Sequence, residues 1–269
     1  MTRGVILFAF NSDAYNYYDM AYHTKKRVEH FLKLPVTLVT DEDSTPVDYE
    51  DHGWDQIIYT TPDKDNIREW GTWINKGRYQ AYEFSPYDET ILLDVDYFVN
   101  SDRLLTIFDV YDDFACHNTI DLLMYPDYPN DKIGPHSHGV LWATVVAFRK
   151  SKRAEHIFNC LKMVQDNYEH YSNIHGFVAG SYRNDFALAV ALRIANGHSV
   201  NQRDFIPWNL THIGRNIQVY KNNEDEFNTE YTLIFDNWQR NKIKKEWLTI
   251  KDHDFHVVNK DIAVELINE

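Results

Sequence analysis

Residues 91–96, Ile-Leu-Leu-Asp-Val-Asp, hold the strongest chemical signal in the chain. The apolar run is typical of a buried strand, and it ends in two carboxylates separated by one residue. Alternation along a strand directs Asp94 and Asp96 to the same side, where their oxygens converge. Such ligands suit Mg²⁺ or Mn²⁺, which commonly take one or two carboxylates together with water and substrate phosphates. We therefore predict a divalent-metal site here; the alternative is a solvated turn, where Asp is also common.

A third ligand is expected near the C-terminus, in the sequence Asp-His-Asp-Phe-His at residues 252–256. A neutral imidazole can complete a site begun by carboxylates, more readily for Mn²⁺ than for Mg²⁺. His256 borders an apolar pair and a lysine, so it is better placed to be held in position than His253. His136 and His138 also alternate, but they stand in a Pro- and Gly-rich loop and are weaker candidates.

Several standard phosphate and metal motifs do not occur in the sequence. There is no G-x-G-x-x-G after the first apolar run, no P-loop lysine motif, no H-E-x-x-H and no paired C-x-x-C. A phosphate would therefore have to be held by a metal ion and by side chains.

Composition indicates a folded protein and disfavours nucleic acid and membranes as partners. The 269 residues are 43% hydrophobic and 15% aromatic, which is too rich for a disordered chain. The net charge of -14 disfavours nucleic acid as a partner without excluding it, because a local basic group such as Lys242, Lys244 and Lys245 could still bind it. Cys116 and Cys160 form no disulfide framework, which fits a reducing compartment. With no signal peptide and no apolar segment of membrane-spanning length, we expect a cytoplasmic protein.

The elements that must position these groups alternate in type along the first 115 residues, as in βαβ units. This pattern predicts an α/β protein with a Rossmann-like, mostly parallel sheet flanked by helices. We expect one domain, with a nucleotide-binding half at residues 1–115 and an irregular acceptor-side half at residues 116–269. Strands are predicted at residues 4–10, 35–40, 56–59, 91–96 and 141–148. Helices are predicted at residues 15–32, 66–84, 101–108, 151–168 and 185–195, and loops at 120–139 and 221–230.

Two of these predicted helices carry specific expectations. Helix 66–84 would turn Trp70, Trp73 and Ile74 inward with Ile67, by their helical spacing. Helix 151–168 would be capped at its N-terminus by Ser151, because a serine hydroxyl accepts from a free backbone N–H there.

The segment from Lys76 to Asp102 resembles glycosyltransferases of the GT-A fold, especially glycogenin-like and related sugar-nucleotide transferases. In that family an arginine-bearing helix, a short turn and an apolar strand lead into a D-x-D motif, here Asp94-Val-Asp96. Further segments agree with the family in order and spacing, namely residues 11–15, 148–151, 184–188 and 256–260. The resemblance implies a single GT-A-type domain that transfers a sugar from a nucleotide donor, with UDP-sugars as the expected donors and retention of anomeric configuration favoured.

The resemblance also implies roles at the metal site. Asp96 would bind Mn²⁺ or Mg²⁺ directly, Asp94 would contact the metal and the ribose, and His256 would be the third ligand. Arg78 would offset charge near the phosphates or the sugar, and Lys260 would lie near the phosphates. A divalent cation there would stabilise the negative charge that grows on the departing nucleoside diphosphate.

Roles for nucleoside and sugar binding follow from the same resemblance. Asn11, Asp13 and Tyr15 match the loop that grips the nucleoside, with a simple Asx-turn at Asp13 as the alternative. Asp185 would grip the sugar hydroxyls or assist near the anomeric carbon, with Asn184 as the second candidate. The alternative for Asp185 is a helix N-cap.

The acceptor stays open at this stage: a glycan, a small molecule, a protein or a modified nucleobase. Trp142 and Thr144 stand where many relatives carry Asn and Gly. Rival functions are nucleotidyl transfer or phosphohydrolysis at the same carboxylates, and a non-catalytic sugar- or nucleotide-binding module. Aromatic side chains that could stack on a sugar ring or an extruded base are Tyr125, Tyr128, Trp208 and Trp238.

Overall fold

The computed structural model describes residues 1–68, 71–122, 132–135, 137–177, 180–214, 217–239 and 242–268. The strands in chain order, β1 to β15, are Arg3–Phe8, Val36–Thr40, Gln56–Tyr59, Ile67–Arg68, Gly71–Thr72, Glu89–Leu93, Tyr97–Phe98, Phe114–His117, Ile120–Leu122, Trp142–Arg149, Leu210–Ile213, Gln218–Lys221, Glu230–Gln239, Lys242–Lys251 and Phe255–Val257. The helices, α1 to α7, are Tyr17–Phe31, Ala81–Phe84, Ile107–Val110, Lys152–Asp166, Tyr168–His175, Asn184–Ala195 and Lys260–Asn268.

A six-stranded sheet with the order β3-β2-β1-β6-β10-β8 forms the centre of the described chain. The four neighbouring strands β3, β2, β1 and β6 run parallel to one another. β10 runs antiparallel to both β6 and β8. β2 and β6 are buried along their whole length, because helices cover both faces of a mostly parallel sheet. The predicted α/β class with a mostly parallel sheet between helices is confirmed.

Side-chain alternation divides the core between the two faces of this sheet. Leu92 and Val146 face one core, which α4 and α6 cover, while Ile91 and Leu93 face another, which α1 covers. Ser151 caps α4 by accepting from the backbone N of Ala154, so the predicted cap is confirmed.

The C-terminal part was predicted to be irregular, and in this respect the prediction is wrong, because the C-terminal third consists largely of regular strands and a helix. It contributes β11 and β15 to a second sheet with the order β7-β15-β11-β9, and β12, β13 and β14 to a third. A separate core of buried apolar side chains, which includes Phe98, Leu233 and Phe255, joins these sheets to α7. Within the described residues, no helix is long and apolar enough to cross a membrane.

The predicted helix 66–84 is also wrong in its first half. Residues 67–72 form the short antiparallel pair β4 and β5, and helical structure begins only with a 3-10 turn at Lys76–Gln80. Ile67 is 68% exposed rather than inward. Asn66 explains the difference: its side chain donates to the carbonyl of Tyr182 and accepts from the N of Tyr182, at 3.0 and 2.8 Å, which holds the chain extended. Trp70 lies outside the described residues, as do residues 123–131 of the predicted loop 120–139.

Candidate active site

Asp94 and Asp96 lie in a tight turn directly after β6, not within the strand as predicted. The backbone N of Tyr97 donates to the carbonyl of Asp94 at 3.1 Å, and the N of Asp94 donates to the carbonyl of Thr144 at 2.9 Å. Turn geometry, rather than strand alternation, therefore brings the two carboxylates together. Asp96 is buried and Asp94 half-buried.

His256 joins the two carboxylates from the far end of the chain. β15 pairs antiparallel with β7, with His256 beside Tyr97. The Nε2 of His256 lies 3.2 Å from the Oδ2 of Asp96. One ligand atom from each of Asp94, Asp96 and His256 can be chosen so that all three lie within 4.8 Å of one another. Burial lowers the pKa of His256 to about 4, so its imidazole is neutral at neutral pH and has a lone pair to offer.

A positively charged side chain contacts each of the two carboxylates. Arg78 forms an ion pair with Asp94 and donates to the carbonyl of Ala143 at 2.9 Å. Lys260, the first residue of α7, forms an ion pair with Asp96. Burial lowers the pKa of Arg78 to about 10 and that of Lys260 to about 7. Because Arg78 is buried, its ion pair with Asp94 is not an ordinary ion pair of the protein surface.

These groups line a cavity of about 380 Å³, which Asp185 and Asn184 also line. The helix α6 begins at Asn184, one residue earlier than predicted, and its N-cap is Arg183. Asp185 accepts from the backbone N of Ala143 on β10 at 2.9 Å, so it fixes α6 against the central sheet and is not the N-cap of the helix. The other side chains around the cavity are mainly aromatic or polar, namely Phe8, Phe10, Tyr17, Trp73, Asn75, Trp142, Thr144, Arg183 and His212.

A second cavity, of about 560 Å³, adjoins the first and is lined by residues 11–15 after β1. Trp73, Ile74 and Lys260 line both cavities. Asn11 fixes the loop, because its N donates to the hydroxyl of Ser44 at 2.7 Å and its Oδ1 accepts from the N of Tyr18 at 3.0 Å.

The loop after β1 also reaches the C-terminal helix. The hydroxyl of Tyr15 donates to Asp261 of α7 at 3.0 Å. Asp13 is exposed at the edge of the larger cavity, and the local turn is closed by Ser12, whose hydroxyl accepts from the N of Tyr15 at 3.2 Å. The local side-chain hydrogen bond that an Asx-turn at Asp13 would supply is therefore made by the hydroxyl of Ser12.

Other candidates from the sequence lie away from these groups or outside the described residues. The Nε2 of His253 lies 2.7 Å from the hydroxyl of Thr211, and His138 packs against His175, so neither joins the carboxylates. Trp208 lines neither of the two cavities and carries Arg103 over its ring at 4.8 Å. His136, Tyr125, Tyr128 and the side chain of Trp238 are outside the described part of the chain.

Sequence reasoning missed His212, which lines the smaller cavity beside His256. Its Nδ1 lies 3.1 Å from the Nδ1 of His256, and the ring of Trp142 packs on it with centroids 4.9 Å apart. The only local signal is the alternation Leu-Thr-His-Ile in a strand. The pairing of β11 with β15, which brings the two histidines together, is not visible in either segment alone.

The ligand set formed by Asp94, Asp96 and His256 fits a divalent cation. Two carboxylates and one neutral imidazole are oxygen and nitrogen ligands that suit Mn²⁺, and also Mg²⁺ if water supplies the remaining positions. Lys260 stands at the Asp96 oxygen that His256 also faces, so this ammonium group would have to share or leave that oxygen when a cation binds.

Comparison with known proteins found distant structural likenesses only. No protein-family model and no curated protein sequence matches the chain. Among solved structures, the galactosyltransferase LgtC aligns over 70% of this chain and 70% of its own length, with 17% identity and a TM-score of 0.48. The mouse xyloside xylosyltransferase 1 covers 74% and 83%, with 11% identity and a TM-score of 0.45. The glycosyltransferase GlyE of Streptococcus pneumoniae covers 76% and 45%, with 13% identity and a TM-score of 0.42. At TM-scores below 0.5, these likenesses are too distant to assign a function.

Proposed function

We propose that this chain is a divalent-metal-dependent glycosyltransferase with a GT-A-type domain that transfers a sugar from a UDP-sugar to an acceptor. The observation that carries the proposal is the convergence of Asp94, Asp96 and His256, with ligand atoms within 4.8 Å of one another, in the smaller of two adjoining cavities. The D-x-D segment of the sequence and its resemblance to the GT-A family support the same assignment.

The two cavities suggest how the donor is divided. The larger one, bordered by Asn11, Asp13 and Tyr15, has room for a nucleoside. The smaller one, bordered by Asp185 and Asn184, would hold the sugar. The diphosphate would then lie between them, where Lys260 lines both cavities.

The side chains around that junction have complementary tasks. Asp94, Asp96 and His256 would hold a divalent cation, which offsets the charge of the leaving diphosphate. Arg78 and Lys260 would add positive charge near the same oxygens, and Arg78 is buried, where such charge acts strongly. Asp185, held in place by the N of Ala143, would orient the sugar hydroxyls.

The test is a donor screen with the purified chain, Mn²⁺ and a panel of UDP-sugars, with mass-spectrometric detection of UDP and of the glycosylated product or free sugar. We expect intact UDP to be released and turnover to fall at least about a hundredfold in Asp96→Asn, because Asp96 would hold the cation that offsets the charge developing in the transition state. Asp109→Asn, which changes an exposed carboxylate of α3, is the matched control and should keep wild-type turnover.

The products distinguish the rival functions. Release of UMP together with sugar 1-phosphate would indicate phosphohydrolysis at the same carboxylates. Release of sugar 1-phosphate with transfer of UMP to an acceptor would indicate nucleotidyl transfer. Tight UDP binding without turnover of any donor would indicate a binding module. Either result would overturn the proposed sugar transfer.

A further inference from the structure

The pair formed by His212 and His256 is set by strand register. β11 and β15 are parallel neighbours in which His212 lies directly beside His256. Side chains at paired positions of adjacent strands project to the same side of the sheet. The two imidazoles therefore lie side by side, with ring centroids 4.9 Å apart and the two Nδ1 atoms at 3.1 Å.

That distance is a hydrogen bond, so one of the two facing nitrogens must carry a proton and the other a lone pair. If His212 donates, the proton of neutral His256 sits on Nε2 and points to the Oδ2 of Asp96 at 3.2 Å. If His256 donates, its Nε2 carries a lone pair towards the carboxylates. Only the second arrangement lets His256 bind a cation.

We propose that His212 is the positioning residue for His256: its Nδ1 accepts the proton of His256 Nδ1 and so exposes the lone pair of His256 Nε2 to the carboxylates. This inference rests on the proposed metal-dependent function. Partners of this kind, which fix the ring and the tautomer of a ligating histidine, strongly affect metal affinity.

The exchange between the two arrangements balances without net gain or loss of protons. One proton passes from His212 Nδ1 to His256 Nδ1. The proton that leaves His256 Nε2 enters solvent, and solvent returns one to His212 Nε2.

The side chain of His212 itself is held by Trp142, whose ring packs on it with an interplanar angle of 54°.

The test compares Mn²⁺ affinity, measured by calorimetry, among three variants. His212→Phe keeps a planar ring against Trp142 but removes the acceptor, and should weaken Mn²⁺ binding by about 10- to 100-fold. His212→Asn retains an amide oxygen near the position of Nδ1 and should stay within about threefold of wild type. His253→Phe, which alters a neighbouring histidine that does not contact His256, is the control and should match wild type.

A second measurement reads the tautomer directly. In the Mg²⁺-saturated protein, the ¹⁵N spectrum of the imidazoles should show His256 protonated at Nδ1 and unprotonated at Nε2. Wild-type Mn²⁺ affinity in His212→Phe, or a proton on His256 Nε2 with Mg²⁺ bound, would overturn the proposal. Equal weakening in the Phe and Asn variants would also overturn it, because His212 would then be a ligand itself or merely structural.

The outcomes also separate this inference from the proposed function. If the wild type binds Mn²⁺ through His256 but transfers no sugar, the role of His212 stands and glycosyl transfer falls. If sugar transfer occurs but His212→Phe binds Mn²⁺ normally, only the role of His212 falls. Absence of Mn²⁺ binding in the wild type would overturn both.

Discussion

His117 should make the stability of this protein fall in mild acid. It ends β8 at the edge of the central sheet and is 1% exposed, and within the described part of the chain neither ring nitrogen has a hydrogen-bond partner. Burial, together with the positive charge of Arg103, lowers the pKa of His117 from 6.5 to about 3. Between pH 6.5 and about pH 3, His117 is protonated in the unfolded chain but neutral in the folded chain. The free energy of unfolding therefore decreases as the pH falls through this range.

The size of the effect follows from the two pKa values of His117. A unit of pKa difference corresponds to about 1.4 kcal/mol, and the full slope is reached only well below the unfolded pKa. From pH 7 to pH 5 this one imidazole should therefore remove about 2 kcal/mol of stability. That is a large share of the 5–15 kcal/mol typical of native domains.

Urea unfolding at pH 7 and pH 5 measures this loss. Carboxylates also titrate over part of this range, so the informative quantity is the difference between the wild type and His117→Leu, which has no ionisable group. We expect the wild type to lose about 2 kcal/mol more than the variant. His170→Gln, a change at an exposed histidine of α5, should behave as the wild type. Identical pH dependence in the wild type and His117→Leu would refute the reasoning.

Three further predictions concern the candidate site. Asp185→Asn keeps an oxygen that can accept from Ala143 but loses the charge, so turnover should fall by about one to three orders of magnitude while UDP affinity, measured by calorimetry, stays within about threefold. Wild-type turnover in that variant would transfer the role to Asn184. His256→Ala should weaken Mn²⁺ and UDP binding in calorimetric titrations more than His253→Ala, whose imidazole faces Thr211; equal affinities would exclude His256 as a ligand. Excess chelator should abolish sugar transfer and added Mn²⁺ should restore it, whereas full activity in chelator would contradict a metal requirement.

Local sequence patterns predicted five of the six strands of the central sheet and missed β8. The clearest cases were β2 and β6, which are short apolar runs buried along their whole length. The same reasoning placed Ser151 at the start of α4, since capping depends on residues three positions apart. It failed at residues 66–75, where the apolar spacing of Trp73 and Ile74 fits a helix but serves to line the cavities instead. There, the bonds between Asn66 and Tyr182 join positions 116 residues apart, beyond any local window.

The candidate site shows the same limit. The carboxylates of Asp94 and Asp96 could be recognised from six consecutive residues, and His256 from family resemblance. His212 could not, because its importance comes only from the register of β11 against β15. The C-terminal sheets were missed for a related reason: their strands mix polar and apolar residues, and pairing between strands, not composition, stabilises them.

The contacts of Asp96 with the C-terminal segment also bear on how the protein is made. Lys260 lies 164 residues beyond its partner carboxylate, and His256 lies 160 residues beyond it. A ribosome delivers the chain from its N-terminus at about 5–20 residues per second, so the strands of the central sheet emerge many seconds before these two side chains. Throughout that interval, Asp96 lacks the two side chains that contact its Oδ2 in the finished protein. The metal site can therefore be completed only after β15 and α7 have been synthesised.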